Sequence, residues 1–236
     1  VDIATTESKE TLIAVMQKIA SECKAFTGVK VRQHNTKPWL PMISFKLFFP
    51  SIYGEGVNVM LDAVLEPAPY PGMMKQIRCG RLYSSNIEVE VPQLTGLTAD
   101  KFLTLSPSTL GIPLNKGKAT QRLKHIFDVA LLLKEEPDAA RIGEYITDCM
   151  KQENRLQKSD HTLDAIIKDT EDFLSVAESY SSAGAALQAA EENSYLKELA
   201  EGFTDFREHL FGREYRWKDL QEDCSTILDL CRTLQA

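Results

Sequence analysis

Between Lys9 and Phe26 the apolar residues Leu12, Ile13, Met16, Ile19, Ala20 and Cys23 recur at spacings of three and four. A stripe of that period predicts one amphipathic helix. From Gly28 to Val91 the period changes: VKVRQH, MISFKLFF, VNVMLDAVLE, MMKQIRC and NIEVEV are short runs rich in β-branched and aromatic residues, parted by turn formers such as Pro41, Pro69 and Gly72. They predict strands of a mostly meandering sheet. After Pro92 helical periodicity takes over, with segments expected near 98–106, 119–135, 138–156, 161–182, 185–211 and 214–234. The pattern therefore predicts an α+β fold, a mixed sheet with helices followed by a C-terminal helical bundle. A loop with Pro107, Gly111 and Pro113 blurs the junction, and the division is set at 114, giving an α+β domain over 1–114 and a helical domain over 115–236.

Composition adds bounds. The 236 residues are 43% hydrophobic and 26% charged, enough to bury one sizeable core or two modest ones. No apolar run approaches the roughly 20 residues that span a bilayer, and VDIATTESKE has neither the basic start nor the apolar stretch of a signal peptide. No membrane association and a cytoplasmic location are expected. Because the chain opens on Val1 with a strand already under way, natural sequence is expected upstream. The five scattered cysteines form no CxxC pair and read as core or free thiols. The net charge of −7 opposes a surface coated for nonspecific nucleic-acid binding and leaves room for a local basic groove. GxSxG, GxxxxGK[ST] and GxGxxG are all missing, so hydrolase, P-loop and dinucleotide readings lack their motifs.

Four positions carry candidate chemistry. In VNVMLDAVLE, strand alternation sends Val59, Leu61, Ala63 and Leu65 to one face, leaving Asp62 midway along the other. It is a solvent-facing acid or, if Asp2 lies on a neighbouring strand, one of two carboxylates able to hold Mg²⁺ beside a triphosphate. In LTGLTADKFLTL, Thr98 is a plausible N-cap with Leu97 and Phe102 at staple positions. Lys101 would then sit in the first helical turn against the dipole, there to meet an anion, to pair with a nearby acid or to reach water. In RLKHIFDVALLL, Asp128 is an acid in an apolar run and calls for a partner, with Lys124 one turn before it. Lys116, Lys118, Arg122, Lys124 and His125 form the densest basic patch, a phosphate surface or a solvated helix start. FREHLFGREYRWKD, with Arg207, Gly212, Arg213, Tyr215, Arg216 and Trp217, is either a stacking platform for single-stranded nucleic acid or a turn whose aromatics close the bundle.

The ordered set of Asp2 after a strand start, LDAVLE with Asp62, LTADKFLTL, RLKHIFDVALLL and a helical tail resembles the AbiEii/AbiGii family of nucleotidyltransferase-like toxins in the DNA-polymerase-β-like superfamily, most clearly over 57–133. The resemblance implies a nucleotidyltransferase-like sheet and aligns Asp2 with the second acid of a DxD pair, Asp62 with a third acid and Lys101 with a helix lysine. Arg122, Lys124 and Asp128 align with an Arg-x-Lys-Asp-x-Tyr-Asp pattern, with His125 in place of its first aspartate and Phe127 in place of its tyrosine. The Gly-Ser turn and first acid are expected upstream of Val1. By this resemblance the chain transfers a nucleoside monophosphate from a nucleoside triphosphate to an acceptor hydroxyl. Asp2 and Asp62 hold Mg²⁺, Lys101, Arg122 and Lys124 bind the nucleotide phosphates, and Asp128 orients Lys124. The resemblance suggests RNA, such as a transfer RNA 3′ end, as acceptor, while the acidic charge leaves a protein hydroxyl or a nucleotide open. The alternative is a non-catalytic protein of that fold, paired with an antitoxin protein.

Overall fold

The computed structural model describes residues 2–33, 39–51, 57–79, 83–114, 117–135, 138–189, 193–210 and 214–235, with positions 2, 33, 79, 83 and 84 described through their backbone alone. The chain divides into two units, Val1–Ala68 and Pro69–Ala236. The first unit is a four-stranded sheet with one helix. Strand β1 (Asp2–Ala4) is followed by helix α1 (Lys9–Glu22), then β2 (Gly28–Gln33), β3 (Met42–Phe48) and β4 (Asn58–Val64). Their order is β1-β4-β3-β2, with β1 parallel to β4 and the other pairs antiparallel.

Helix α1 starts where the Ser8 hydroxyl accepts the Thr11 backbone N–H at 3.1 Å, meeting one of the donors a helix start leaves unpaired. Its apolar stripe, with Leu12, Ile13, Met16 and Ala20, packs against Ile43, Phe45, Leu47 and Ala63 of the sheet. Because side chains alternate along a strand, burial of Ile43, Phe45 and Leu47 assigns Ser44 and Lys46 to the opposite face.

The second unit opens with a hairpin, β5 (Gly72–Cys79) against β6 (Tyr83–Pro92), which forms its own two-stranded sheet. Helices α2 (Leu94–Leu103), α3 (Ala119–Glu135), α4 (Ala139–Gln157) and α5 (Leu163–Leu174) follow. A 3₁₀ turn (Ser175–Ser179) then leads into α6 (Ala183–Ala189), α7 (Ser194–Glu208) and α8 (Trp217–Gln235). Asp138, Thr162 and Asn193 cap α4, α5 and α7 by accepting first-turn backbone N–H groups. The helices share one core, with Phe102, Leu123, Ile126, Ile146, Ile167 and Phe173 buried to 0% exposure.

Three features differ from expectation. Among the described residues the strands of 28–91 form two sheets, with β5 and β6 paired to each other and β2, β3 and β4 in the other sheet. The compact units part at 68/69, not at 114, since α2 packs on α3 and α4 and shares their core. Helix α2 starts at Leu94 behind Gln93. Thr98 is not its cap: its hydroxyl donates to the Leu94 carbonyl at 2.8 Å, the back-bond of a mid-helix threonine. Among the described residues, no helix is long and apolar enough to cross a membrane.

Candidate functional site

The first unit brings two acidic positions into register. Asp62 of β4 is in register with Asp2 of the parallel strand β1 and, on its other side, with Ser44 of β3. Register partners on adjacent strands lie about 4.8 Å apart and occupy one face of the sheet. Positions 2 and 62 are therefore neighbours on the face opposite the α1 core. Asp62 is half-buried and Ser44 is buried. Among the described residues no cluster of three or more His, Cys, Asp or Glu side chains is placed to hold a metal ion.

The second unit carries a cationic cluster on α2 and α3. Lys101 lies in the last turn of α2, not the first, so its charge complements the helix dipole. Its Nζ donates to Asp128 Oδ2 at 3.1 Å, and the two side chains are 24% and 25% exposed. Asp128 thus meets Lys101 across the α2–α3 packing, where Lys124 had been expected. The acid in an apolar run does have a partner, but from another helix. Lys124 is exposed, one turn before Asp128 on α3, and makes no ion pair among the described residues.

His125 is half-buried beside this pair, and its Nδ1 is buried without a hydrogen-bond partner among the described residues. Burial first, then the charges of Lys101, Lys124 and Arg122, pull its pKa down to about 4 against an upward pull from Asp128. It is therefore a neutral imidazole at physiological pH.

Arg122 corrects the reading of the basic patch. It is fully buried, and its guanidinium donates to Glu198 of α7 and to the carbonyls of Ile112 (2.7 Å) and Pro113 (3.0 Å) while lying 5.6 Å from the Phe173 ring centroid. A guanidinium enclosed in this way ties α3, α7 and the loop after α2 together and is not on a surface that meets phosphate. The signal was in the sequence: Arg122, Ile126 and Val129 share the buried helical stripe. Of the patch, Lys118 and Lys124 are exposed, and Lys116 lies outside the described residues.

The basic-aromatic stretch closes the bundle. Tyr215 and Trp217 are buried, Tyr215 packs against Phe127, Phe203 and Phe206, and Trp217 Nε1 donates to the Tyr180 carbonyl at 2.9 Å. The Tyr215 hydroxyl donates to the buried Asp223 at 2.8 Å, and burial raises its pKa. Gly212 and Arg213 lie outside the described residues. Cys149, Cys224 and Cys231 are buried thiols and Cys23 is exposed. One acid went unnoticed in the sequence: Asp169 is buried and accepts from Ser108 N (2.7 Å), the Thr109 hydroxyl (3.2 Å) and the Tyr195 hydroxyl (3.3 Å). No local signal marks it, since its partners lie 60 and more positions upstream or 26 downstream.

In comparison with known proteins, the family described as "Nucleotidyl transferase AbiEii toxin, Type IV TA system" matches residues 1–222. No curated protein matches, and no solved structure matches.

Proposed function

We propose, given that this chain belongs to the AbiEii nucleotidyl transferase toxin family of type IV toxin-antitoxin systems, that it moves a nucleoside monophosphate from a nucleoside triphosphate to an acceptor hydroxyl, with RNA as the acceptor class. The acceptor hydroxyl oxygen bonds to the α-phosphorus and gives its proton to solvent, the bond to the bridging oxygen breaks, and pyrophosphate leaves with that electron pair. The observation that supports this most is the in-register pairing of Asp2 with Asp62. Two carboxylate positions on adjacent strands suit Mg²⁺, a hard cation that takes a few carboxylates and keeps sites for phosphate and water. Bound there, the ion would neutralise charge developing on the α-phosphate and the leaving pyrophosphate.

The chain's own groups do the rest. Asp62 lies on β4 between β1 and β3, so strand pairing and not a loop sets its backbone position. In the second unit, Lys124, exposed and without an ion-pair partner among the described residues, and Lys101, held by Asp128, are the cations that the family reading assigns to phosphate. An antitoxin protein is the implied counterpart.

The test incubates the protein with Mg²⁺, labelled nucleoside triphosphates and total RNA. Label should enter RNA, stop on chelation by EDTA, and fall by at least about 100-fold in Asp62→Ala, more than loss of a supporting group around a metal typically costs. Undiminished transfer by Asp62→Ala would remove Asp62 from the mechanism, and no transfer to any hydroxyl would favour the non-catalytic reading.

A further inference from the structure

The face of the first sheet that carries Asp62 also carries three cations that the reading above does not use. Lys30 of β2 is in register with Lys46 of β3, and Lys46 with Met60 of β4. One step of two residues along β2, Arg32 is in register with Ser44, which is itself in register with Asp62. By alternation Lys30, Arg32, Ser44, Lys46, Met60 and Asp62 therefore occupy one face, opposite the α1 core. Lys30 and Arg32 are exposed and Lys46 is half-buried. None of the three makes an ion pair among the described residues. Two lysines directly opposite each other on neighbouring strands destabilise a sheet, and this chain carries a net charge of −7, so unpaired positive charge gathered here calls for an anion.

The layout says how long that anion is. Lys30 and Arg32, two residues apart on a strand, are separated by about 7 Å, and each strand crossed adds about 4.8 Å. The cations thus stand at successive distances from Asp62, over two register levels and two strands. At the end of the sheet where Arg32 and Asp62 lie, the β2–β3 connection holds Trp39, 47% exposed. Spaced cations with an accessible aromatic ring are the combination that holds single-stranded nucleic acid, cations on the phosphates and the ring on a base.

We propose that the Lys30–Arg32–Lys46 face, with Trp39 at its end, is a track for the phosphate backbone of single-stranded RNA that leads its terminal hydroxyl to Asp62. This rests on the transferase reading for its destination, while the binding itself stands on charge and geometry alone.

The test is therefore a binding measurement, without nucleotide or Mg²⁺. Fluorescence anisotropy of a labelled single-stranded RNA of about 16 nucleotides, one binding-site length, is followed against salt for the full chain. Lys30→Ala/Arg32→Ala/Lys46→Ala should weaken binding at least about tenfold at low salt and lower the slope of log K against log salt by about 2, at about 0.7 per phosphate contact. A charge-retaining triple, Lys30→Arg/Arg32→Lys/Lys46→Arg, should bind as the unaltered protein does, as should Lys9→Ala/Lys18→Ala/Lys24→Ala on and beside α1. Trp39→Ala should lose about fivefold or more in affinity with the slope unchanged. Unaltered affinity and slope in the alanine triple would overturn the proposal, as would equal loss in the charge-retaining triple. It would also fall if the alanine triple lost affinity for a nucleoside triphosphate and none for RNA. The binding measurement involves no transfer, so an absence of transfer by the unaltered protein counts against the transferase reading and not against the track.

Discussion

Lys101 of α2 and Asp128 of α3 form an ion pair of 3.1 Å that is three-quarters enclosed on both sides. The ammonium group thereby holds one position, and its partner acid is satisfied within an otherwise apolar helix. A fixed cation is worth more to phosphate binding than a mobile one, because no ordering entropy remains to be lost.

Removing the acid should separate these roles. Asp128→Asn is expected to lower stability by about 1 kcal/mol, a fall in Tm of roughly 2–4 °C for a chain of this size. Transfer activity should fall at least about tenfold, well beyond that shift. Thermal melts and the transfer assay on Asp128→Asn, Lys101→Ala and the double variant give the coupling between the two groups. Strict additivity would mean the contact is incidental.

Arg122 and Glu198 predict a structural effect. Breaking a buried pair from one side leaves an uncompensated charge and costs about 3–5 kcal/mol. Arg122→Met and Glu198→Gln should each lose stability on that scale in urea titrations. Arg122→Met/Glu198→Leu should regain part of the loss because neither charge is then stranded. A single substitution within 0.5 kcal/mol of the unaltered protein, as is usual for surface changes, would contradict the burial.

His125 predicts a pH dependence with a definite sign. Its folded pKa is lowered to about 4 from 6.5, so between these values the unfolded chain binds the extra proton. The stability contributed by the neutral imidazole is complete above pH 6.5 and is lost as pH falls toward 4, by on the order of 1–2 kcal/mol once partial solvent screening is allowed for. His125→Gln should flatten this part of the stability profile. An unchanged slope would place the titrating group elsewhere.

Gly202 of α7 lies tight against the start of α3. A Cβ built there would lie 2.6 Å from the Ala119 carbonyl oxygen and 2.6 Å from Leu123 Cδ2. Backbone cannot yield as a side-chain tip does. Gly202→Ala should therefore destabilise by about 1–3 kcal/mol despite alanine's better helix propensity. A gain in stability would show that the two helices can part without cost.

Periodicity placed most of the elements: α1, α3, α4 and α8 stand close to where the sequence puts them, and β4 turns Ala63 into the α1 core with Asp62 on the other face, although Val59, expected on the core face, is 41% exposed. It missed where the helical tail is interrupted. A 3₁₀ turn follows α5, and α6 and α7 are separate helices. Alanine-rich and amphipathic segments continue the same period across such breaks, so pattern alone does not mark them. Arg122 shows the opposite failure, where charge outweighed a helical register that had it facing inward.

The sequence by itself determined the α+β order, the helical second half, the absence of motifs for rival chemistries and the types of residue a nucleotidyl transfer would need. These are local properties, set by spacing along one segment. Tertiary structure alone decided that Asp2 is in register with Asp62, that Asp128 takes Lys101 as its partner, that Arg122 is enclosed with Glu198, and that Lys30, Arg32 and Lys46 share the face of Asp62. Each joins segments far apart in the chain. Strand order and helix packing, which choose such pairs, depend on how whole faces bury together, and no single window of residues contains that information.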